Sequence, residues 1–478
     1  MRPLGTKAIV TALLAALLAP GCAIGPNYRR PETQVPSAYR GAAPSDDSLA
    51  DNAWWDLYKD EQLSSLIRAS LANGFDARIA AARVSEARAV AAQVHGQRFP
   101  AFGYSANADR GRNALLGNPY TQGGGTTADG FDGYLGAAWE LDLWGRVRRL
   151  DEAARAQYLG SIEGRRAVLL SLVAEVATAY YGLLELDEEL SIARAATDSL
   201  GNSLRLFNRQ LEGGTASRLD AATAEAAMAS SAARIPEIER EIAIRENQIC
   251  VLVGTPPGPV ARGSRLSEQA LPPDVPAGLP SSLLERRPDV REAEFAAVAA
   301  NARIGVTVGG FLPRIGLSAS LGGVSPELDR ITSRKAGLWS VGAGATGPLF
   351  QGGGLHGQYD QAKQEWEVAR LQYQQSALNA FADVANALVT RQKLAEVRAQ
   401  QERAVRAYQE AATLSSERYS AGKASYYEVI ESQLKLFPAQ SALAQTRRDQ
   451  FTAVVQLYKA LGGGWSLKDA EWSPPAGR

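Results

Sequence analysis

Cys22 is the side chain whose surroundings most clearly indicate a chemical reaction. It follows Ala19-Pro20-Gly21 and an apolar run over residues 9–19, behind a short, positively charged start. An apolar run of this length is too short to cross a bilayer as a helix and is typical of a signal peptide. We therefore predict that residues 1–21 are a lipoprotein signal peptide and that lipid is attached to Cys22. The alternative is an ordinary signal peptide with a chance cysteine.

Other reactive side chains are scarce, which argues against catalysis. The chain has only two histidines and two cysteines, a composition that disfavours a His/Cys metal site or a cysteine–histidine catalytic pair. His95 and His356 have no carboxylate or nucleophile at motif spacing, so we expect both on helix or loop surfaces. Cys250 lies in an apolar run and should be a small buried hydrophobic side chain. We predict that the protein is not an enzyme and has neither a cofactor nor a metal site.

The balance of charges disfavours another class of protein. Lys plus Arg and Asp plus Glu both number 51, so the formal net charge is zero. A nucleic-acid binder normally has an excess of basic residues. We therefore expect no nucleic-acid partner.

The elements that must position these residues are arranged in two similar halves. Four motifs recur in the same order, and the spacing from Gly214 to Gly254 equals that from Gly422 to Gly462. The paired motifs are residues 99–106 with 312–319, 136–144 with 342–350, 213–217 with 421–425, and 253–254 with 461–462. Four ordered matches are hard to attribute to chance, and they predict an internal two-fold repeat.

Each half contains a shorter helix, two strands and two long helices. We predict the first repeat over residues 61–254 and the second over residues 283–464. Their strands are expected at about 99–112 and 130–143, and at about 312–323 and 336–349. The other segments are a lipidated tether at 22–60, a Pro-rich strap at 255–282 and a C-terminal tail at 465–478.

The predicted strands alternate between apolar residues and small or polar ones. In the first strand, Phe102 and Tyr104 alternate with Gly103 and Ser105. Over roughly ten residues this pattern is typical of a transmembrane β-strand with one face to lipid and one to water. A small soluble hairpin packed on a core gives the same pattern, so alternation alone leaves both interpretations open.

The long helices favour the membrane interpretation. Residues 146–211 and 358–421 contain no proline, and a helix of that length is on the order of 100 Å long. Alanines lie on more than one face, which suits a helix packed between two neighbours in a closed ring better than a two-stranded coiled coil. We expect Pro236 and Pro438 to bend the helices that contain them.

Four strands cannot close a transmembrane barrel by themselves. An open sheet edge in hydrocarbon leaves backbone hydrogen-bonding groups unpaired, and known barrels need about eight strands or more. Strands from several chains must therefore share one barrel. Eight or twelve strands are both compatible with the sequence, and twelve strands from three chains leave a lumen wide enough for solutes.

Two specific motifs resemble a known family. The run Cys22-Ala23-Ile24-Gly25-Pro26-Asn27-Tyr28-Arg29-Arg30-Pro31, and residues 278–289 followed by 300–305, resemble the lipoprotein (NodT) branch of the TolC-like outer membrane factors of RND efflux systems. The resemblance covers essentially the whole mature chain. It implies an α+β membrane protein: a trimeric 12-stranded transmembrane β-barrel, four strands per chain, continuous with a 12-helix periplasmic α-barrel.

The resemblance also implies a function. It identifies the chain as the outer membrane exit duct of a tripartite RND-type pump that exports drugs or other small solutes. The implied partners are two further copies of the chain, a periplasmic membrane-fusion adaptor, an inner-membrane RND transporter and membrane lipid. The implied location is the outer membrane, with a lipid anchor and an extension into the periplasm. The alternatives are the duct of a type I protein secretion system and a pore-less periplasmic coiled-coil adaptor.

The resemblance further implies a gate at the periplasmic end. The family's two acidic ring positions fall on Glu428 and Glu431, which are three residues apart and share one helix face. Its partner acid falls on Asp220, and the tyrosine that hydrogen-bonds this acid falls on Tyr419. One basic link position is occupied by Ala424, for which Arg418 is the expected substitute.

Two glycines are expected at the tips of the long helices. We predict that Gly214 and Gly422 end the first long helix of each repeat in tight turns, because glycine readily adopts the left-handed conformation of a helix C-terminus. By the resemblance, these tips are where the adaptor docks.

Overall fold

The computed structural model describes residues 23–39, 59–112, 127–272, 278 and 280–463. Five segments of the sequence lie wholly or partly outside these described residues. They are the signal peptide with Cys22, part of the tether, the segment between the first two strands, part of the strap and the C-terminal tail. The chain divides into two compact units. The first unit comprises Met1–Pro31, Val84–Ser161 and Ala293–Tyr373, and the second comprises Glu32–Arg83, Ile162–Glu292 and Gln374–Arg478.

The first unit contains one antiparallel sheet in the order β1-β2-β3-β4. Its strands are β1 (Ala101–Arg112), β2 (Thr127–Leu141), β3 (Arg314–Ser325) and β4 (Gly337–Thr346). All four predicted strands are present, and their ends differ from the prediction by two or three residues in most cases. The four-strand prediction is therefore confirmed.

The alternation in the sequence gives this sheet two different faces. On one face, Tyr104, Leu135, Leu321 and Trp339 lie opposite one another across the four strands. All four are exposed in the single chain, Tyr104 at 85% and Trp339 at 78%. On the other face, Gly103, Gly136, Ser320 and Ser340 form the neighbouring row, and the two serine hydroxyls are 2.7 Å apart. One face is thus apolar and uncovered, and the other is lined by small and polar groups.

The helices repeat the same plan with matching lengths. They are α1 (Glu61–Asn73), α2 (Phe75–Gly96), α3 (Arg146–Glu212), α4 (Arg218–Val253), α5 (Pro280–Arg286), α6 (Pro288–Gly309), α7 (Gly354–Ser420) and α8 (Tyr426–Ala460). Helices α3 and α7 both have 67 residues, whereas α4 and α8 have 36 and 35. The sequence predicted one helix before each pair of strands, at about 76–98 and 288–309, which correspond to α2 and α6; the helices α1 and α5 were missed. Helices α4 and α8 continue through Pro236 and Pro438, and the bend at these prolines stays a prediction.

The segment that follows Cys22 is bound within the first unit to residues of α3 and α6. The guanidinium of Arg149 donates to the carbonyl of Ile24 and to Asn27 Oδ1, at 3.1 and 2.7 Å. Gly25 has a φ of 95°, and a Cβ there would come within 2.5 Å of Gly305 Cα. Only glycine fits this left-handed, close-packed position. The two motifs that carried the resemblance therefore contact each other.

The second unit is held together by contacts between the two repeats and by an apolar cluster within the first repeat. Tyr181 of α3 stacks on Phe451 of α8, with ring centroids 4.7 Å apart. Cys250 is buried among apolar side chains that include Leu183 and Ile249, as predicted. Among the described residues, α3 is the one helix apolar and long enough to cross a membrane, but most of that apolar stretch is buried in the chain. Its hydrophobicity is explained by this core.

Candidate functional site

The tips of the long helices end in two equivalent glycine turns. Gly214 has a φ of 71° and Gly422 a φ of 70°. In the first turn the Thr215 amide donates to the Gln210 carbonyl at 2.8 Å, and in the second the Lys423 amide donates to the Arg418 carbonyl at 2.9 Å. These bonds satisfy carbonyls at the helix ends. The prediction of glycine-terminated tips is confirmed.

Asp220 caps the helix that leaves the first tip. Its carboxylate accepts from the backbone amide and the hydroxyl of Ser217, at 3.0 and 2.7 Å, and the Asp220 amide is 3.2 Å from the same hydroxyl. The pair forms a capping box at the start of α4. Hydrogen bonds from Ser217, first from its hydroxyl and then from its backbone amide, hold the pKa of Asp220 below its usual value.

Tyr419 is bound to a different partner from the one expected. Its hydroxyl donates to Gln210 Oε1 at 3.0 Å, whereas the carboxylate of Asp220 is engaged by Ser217. The predicted Tyr419–Asp220 hydrogen bond is therefore replaced within the chain by a bond between the last turns of α7 and α3. The physical reason is the length of the side chains. The short side chain of Asp220 bonds to the start of its own helix, whereas the longer side chain of Gln210, one turn before the tip, extends to the neighbouring helix.

An aromatic cluster surrounds this hydrogen bond. We define the tip cluster as Phe207, Tyr419 and Tyr426. Phe207 lies edge-on to Tyr426 with centroids 4.1 Å apart, and Tyr419 lies 5.2 Å from Tyr426. Phe207 is buried, and burial raises the pKa of Tyr426 above its ordinary value. The cluster joins α3, α7 and the start of α8. Sequence reasoning missed it, although all three aromatic residues lie within seven residues of Gly214 or Gly422.

The two predicted ring carboxylates each have a basic neighbour. Glu428 Oε2 lies 4.0 Å from Arg418 Nη2, and Glu431 Oε1 lies 2.7 Å from Lys435 Nζ. The hydrogen bond to Glu431 raises the pKa of Lys435. All four side chains are well exposed, so these ion pairs contribute little to stability. Lys435 is four residues after Glu431, a spacing that could have revealed this pair from the sequence.

The internal repeat relates the acids of the two tips. Asp220 and Glu428 are both the third residue of the helix that follows a tip, after Ser217 and Ser425. Asp220 takes part in the capping box with Ser217, whereas no side-chain cap forms at Ser425 among the described residues. Both acids are exposed, but only Asp220 caps its helix. The repeat thus provides one acid that caps a helix and one that does not.

A buried pair of acids lies on α3, remote in sequence from the tip. Glu185 and Glu189 are both buried and one turn apart. Glu189 accepts from Gln445 at 2.8 Å, and Arg448 of α8 approaches Glu185 at 3.4 Å. Burial, and then the charge of Glu189, raise the pKa of Glu185 to about 7. Sequence reasoning missed this pair because the spacing i, i+4 is common on solvated helices.

Both histidines are exposed, as expected from the sequence, and one of them has a carboxylate partner that is distant in the sequence. His95 Nδ1 lies 3.2 Å from the carboxylate of Asp151, which Arg98 also contacts at 3.1 Å. His95 is on the surface, as predicted, but it has a carboxylate partner that is 56 positions away in the sequence. Motif spacing could not find this contact. His356 lies against Phe311, with centroids 5.3 Å apart. Within the described ranges, no group of three or more His, Cys, Asp or Glu residues could hold a metal ion.

Comparison with known proteins gives consistent results. Residues 66–255 and 279–463 match the family described as outer membrane efflux protein. The chain is 34% identical over 469 residues to the probable efflux pump outer membrane protein TtgC of Pseudomonas putida, covering 96% of each chain. The solved structure of the outer-membrane channel OprN has a TM-score of 0.86 and 30% identity, over 93% of this chain and 100% of that one. The open state of the Neisseria gonorrhoeae MtrE outer membrane channel has a TM-score of 0.81 and 30% identity, over 93% and 98%.

Proposed function

The chain belongs to the outer membrane efflux protein family, and on that premise we propose that it is the exit duct of a tripartite RND-type pump. The duct lies in the outer membrane, extends into the periplasm and exports drugs or other small solutes. Its transport partners are a periplasmic adaptor and an inner-membrane transporter. The relatives it matches are efflux channels, which favours this role over a protein-secretion duct and over a pore-less adaptor.

The uncovered apolar face of the sheet is the observation that carries the proposal. A row such as Tyr104, Leu135, Leu321 and Trp339 would be costly in water and is suited to lipid. The opposite face of Gly and Ser suits an aqueous lumen. In hydrocarbon the outer edges of β1 and β4 need partners. Three chains supply twelve strands, which close the barrel and leave room for solutes.

The tip residues form the proposed periplasmic gate. We propose that Glu428 and Glu431 of three chains line the neck, where their negative potential is reduced by Arg418 and Lys435. The bond from Tyr419 to Gln210, inside the tip cluster, holds the two repeats together at the closed end. The turns at Gly214 and Gly422 provide the surface for the adaptor. Asp220 supports the gate by capping α4.

The lipid anchor is a separate part of the proposal. Cys22 carries lipid, and the segment after it is held in place by the contacts of Arg149. A lipid chain adds a modest, reversible anchor to a barrel that already lies in the membrane. We expect no catalytic step in transport by this chain.

Export by intact cells tests the proposed function. A strain that lacks the gene should accumulate ethidium and become sensitive to pump substrates, and the wild-type gene should restore both. The matched control carries Trp339→Asp on the apolar face, which should prevent membrane insertion and restore neither. Full restoration by that variant would contradict the placement of this face in lipid. Unchanged accumulation after deletion would contradict the efflux role.

A further inference from the structure

A cavity of about 490 Å³ lies between α3, α4 and α8 in the second unit. Most of its lining residues are apolar, and the most deeply buried of them are Ala196, Leu200 and Ile238. Other lining residues, such as Leu434 and Pro438, are exposed, so the cavity opens at the surface of the chain. A cavity of this size with apolar walls and a few polar groups is typical of a binding site for a small molecule.

One carboxylate lies in the lining of this cavity. Glu189 is 7% exposed, and its Oε1 accepts from Gln445 Nε2 at 2.8 Å. Its neighbours Glu185 and Glu188 each have an arginine of α8 within 3.4 Å, whereas no basic side chain forms an ion pair with Glu189 among the described residues. A buried charge that has only an amide for a partner is costly. A positive charge in the cavity would offset that cost.

The neighbouring acid reports an excess of negative charge at this place. Burial, and then the charge of Glu189, raise the pKa of Glu185 to about 7, even though Arg448 approaches Glu185. The two carboxylates therefore repel each other more than the nearby arginine compensates. A further cation beside Glu189 would reduce this repulsion.

The remaining polar groups of the lining leave room for a cation. Arg234 is the basic residue of the lining, but it is largely exposed and lies 2.6 Å from the carboxylate of Glu237, which neutralises it. Pro438 has no N–H to donate to the carbonyl of Leu434, four residues earlier on α8, and both residues line the cavity. The lining thus combines an unpaired carboxylate with a backbone carbonyl that lacks its usual helical donor.

We propose that this cavity binds an organic cation with an apolar body, whose positive charge lies against Glu189. The apolar walls cover the body, and the carboxylate selects for positive charge. A bare metal ion is less suited, because Glu189 is the one carboxylate among the described residues that line the cavity and hard metal ions take several oxygen ligands. The site is formed by three helices of one chain. It goes beyond the role of exit duct and does not depend on it.

Two hydrophobic ions of nearly the same shape and opposite charge test the proposal. Tetraphenylphosphonium is the cation and tetraphenylborate the anion, and binding to the purified full-length protein in detergent is measured by equilibrium dialysis against empty micelles. We expect saturable binding of the cation, one for each chain, and no saturable binding of the anion. Equal binding of the two ions, or no saturable binding of the cation, would overturn the proposal.

Variants locate the binding site. Glu189→Gln removes the charge at nearly constant size and should weaken binding of tetraphenylphosphonium by roughly tenfold or more. Glu188→Gln is the matched control, because Glu188 pairs with Arg447 and does not line the cavity; it should bind the cation as the wild type does. Ala227→Phe fills the cavity from α4, keeps Glu189 and should also lose binding.

Unchanged binding in Glu189→Gln or in Ala227→Phe would place the cation elsewhere and overturn the site. An equal loss in Glu188→Gln would overturn the specific role of Glu189. Melting curves establish that each variant is folded. The comparison of the two ions on the wild-type protein decides the proposal even where a variant fails to fold.

Discussion

The hydrogen bond between Tyr419 and Gln210 gives the sharpest prediction about the gate. Tyr419→Phe removes only the hydroxyl that donates to Gln210 Oε1 at 3.0 Å and leaves the ring packed against Phe207 and Tyr426. The bond joins α7 to α3 at the tip, so its loss should favour the open state of the duct.

The size of the effect follows from three equal bonds. A hydrogen bond of this kind contributes about 1 kcal/mol, so three subunits lose about 3 kcal/mol if the closed state needs all three. Since every 1.4 kcal/mol is a factor of ten, the ratio of open to closed channels should rise by roughly 150-fold. A gate that opens one subunit at a time would show about a fivefold rise for each subunit.

Single-channel recording in planar bilayers measures this ratio directly. Tyr427→Phe is the matched control, because Tyr427 adjoins the tip cluster in sequence but is largely exposed. It should leave the open fraction unchanged. Equal trimer yield for both variants excludes a folding defect.

A double-mutant cycle tests whether Tyr419 is linked to Gln210 or to Asp220. Tyr419→Phe and Gln210→Met should each open the duct, and the double variant should open it no further, because both remove the same bond. Tyr419→Phe and Asp220→Asn should combine additively, since Asp220 is bound to Ser217. If the coupling appears with Asp220 and is absent with Gln210, the assignment of the link is wrong.

Four further predictions concern the tips, the buried acids, the neck and the anchor. Gly422→Ala should impair efflux at normal trimer yield, because a left-handed residue with a side chain costs about 1 kcal/mol or more at the tip; drug susceptibility measures it. Glu185→Gln should raise the melting temperature at pH 8 and not at pH 4. The pKa of Glu185 in the folded protein is raised to about 7, so the protonated carboxyl stabilises the fold fully below about pH 4.5, and this stabilisation is lost as the pH rises through about 7. Replacing Glu428 and Glu431 by Ala should weaken block by divalent cations in conductance recordings. Cys22→Ser should abolish palmitate labelling while the trimer still forms.

Each of these predictions has a matched control. Gly357→Ala is compared with Gly422→Ala, because its position on α7 is also open but has no positive φ; equal effects on efflux would contradict the tip turn. Glu188→Gln, next to Arg447, should not raise the melting temperature at pH 8, and an equal rise in both variants would contradict the role of the buried Glu185. Asp198→Ala, elsewhere on α3, should retain cation block, and full block in the Glu428 and Glu431 variant would place the rings elsewhere. Equal labelling of wild-type and Cys22→Ser protein would contradict lipidation.

The fold could be predicted from the sequence because its signals are local and repeated. Alternation over the strands sets the two faces of the sheet, and glycines at Gly214 and Gly422 end helices whose lengths follow from uninterrupted helical sequence. The match between 67-residue helices in both halves reflects the repeat that the motifs indicated. The helix α1 was missed because it is short, with 13 residues, and no second long apolar pattern marks it in the sequence.

The partners within the candidate site could not be predicted in the same way. Gln210 and Tyr419 are 209 positions apart, and His95 and Asp151 are 56 apart, so only the packing of the helices decides which side chains meet. Asp220 shows the opposite case. Its partner Ser217 is only three residues away, at the spacing of a capping box, and this local bond competes with the distant one.

Single-channel recording of the purified wild-type protein tests the central claim most directly. The protein should form a trimer that stays intact in unboiled detergent and inserts into planar bilayers as one pore with discrete, uniform openings. The pore should conduct through a lumen that three chains share, so a variant that cannot form the trimer should be silent. A stable trimer that never conducts, or a conducting monomer, would contradict a duct shared by three chains.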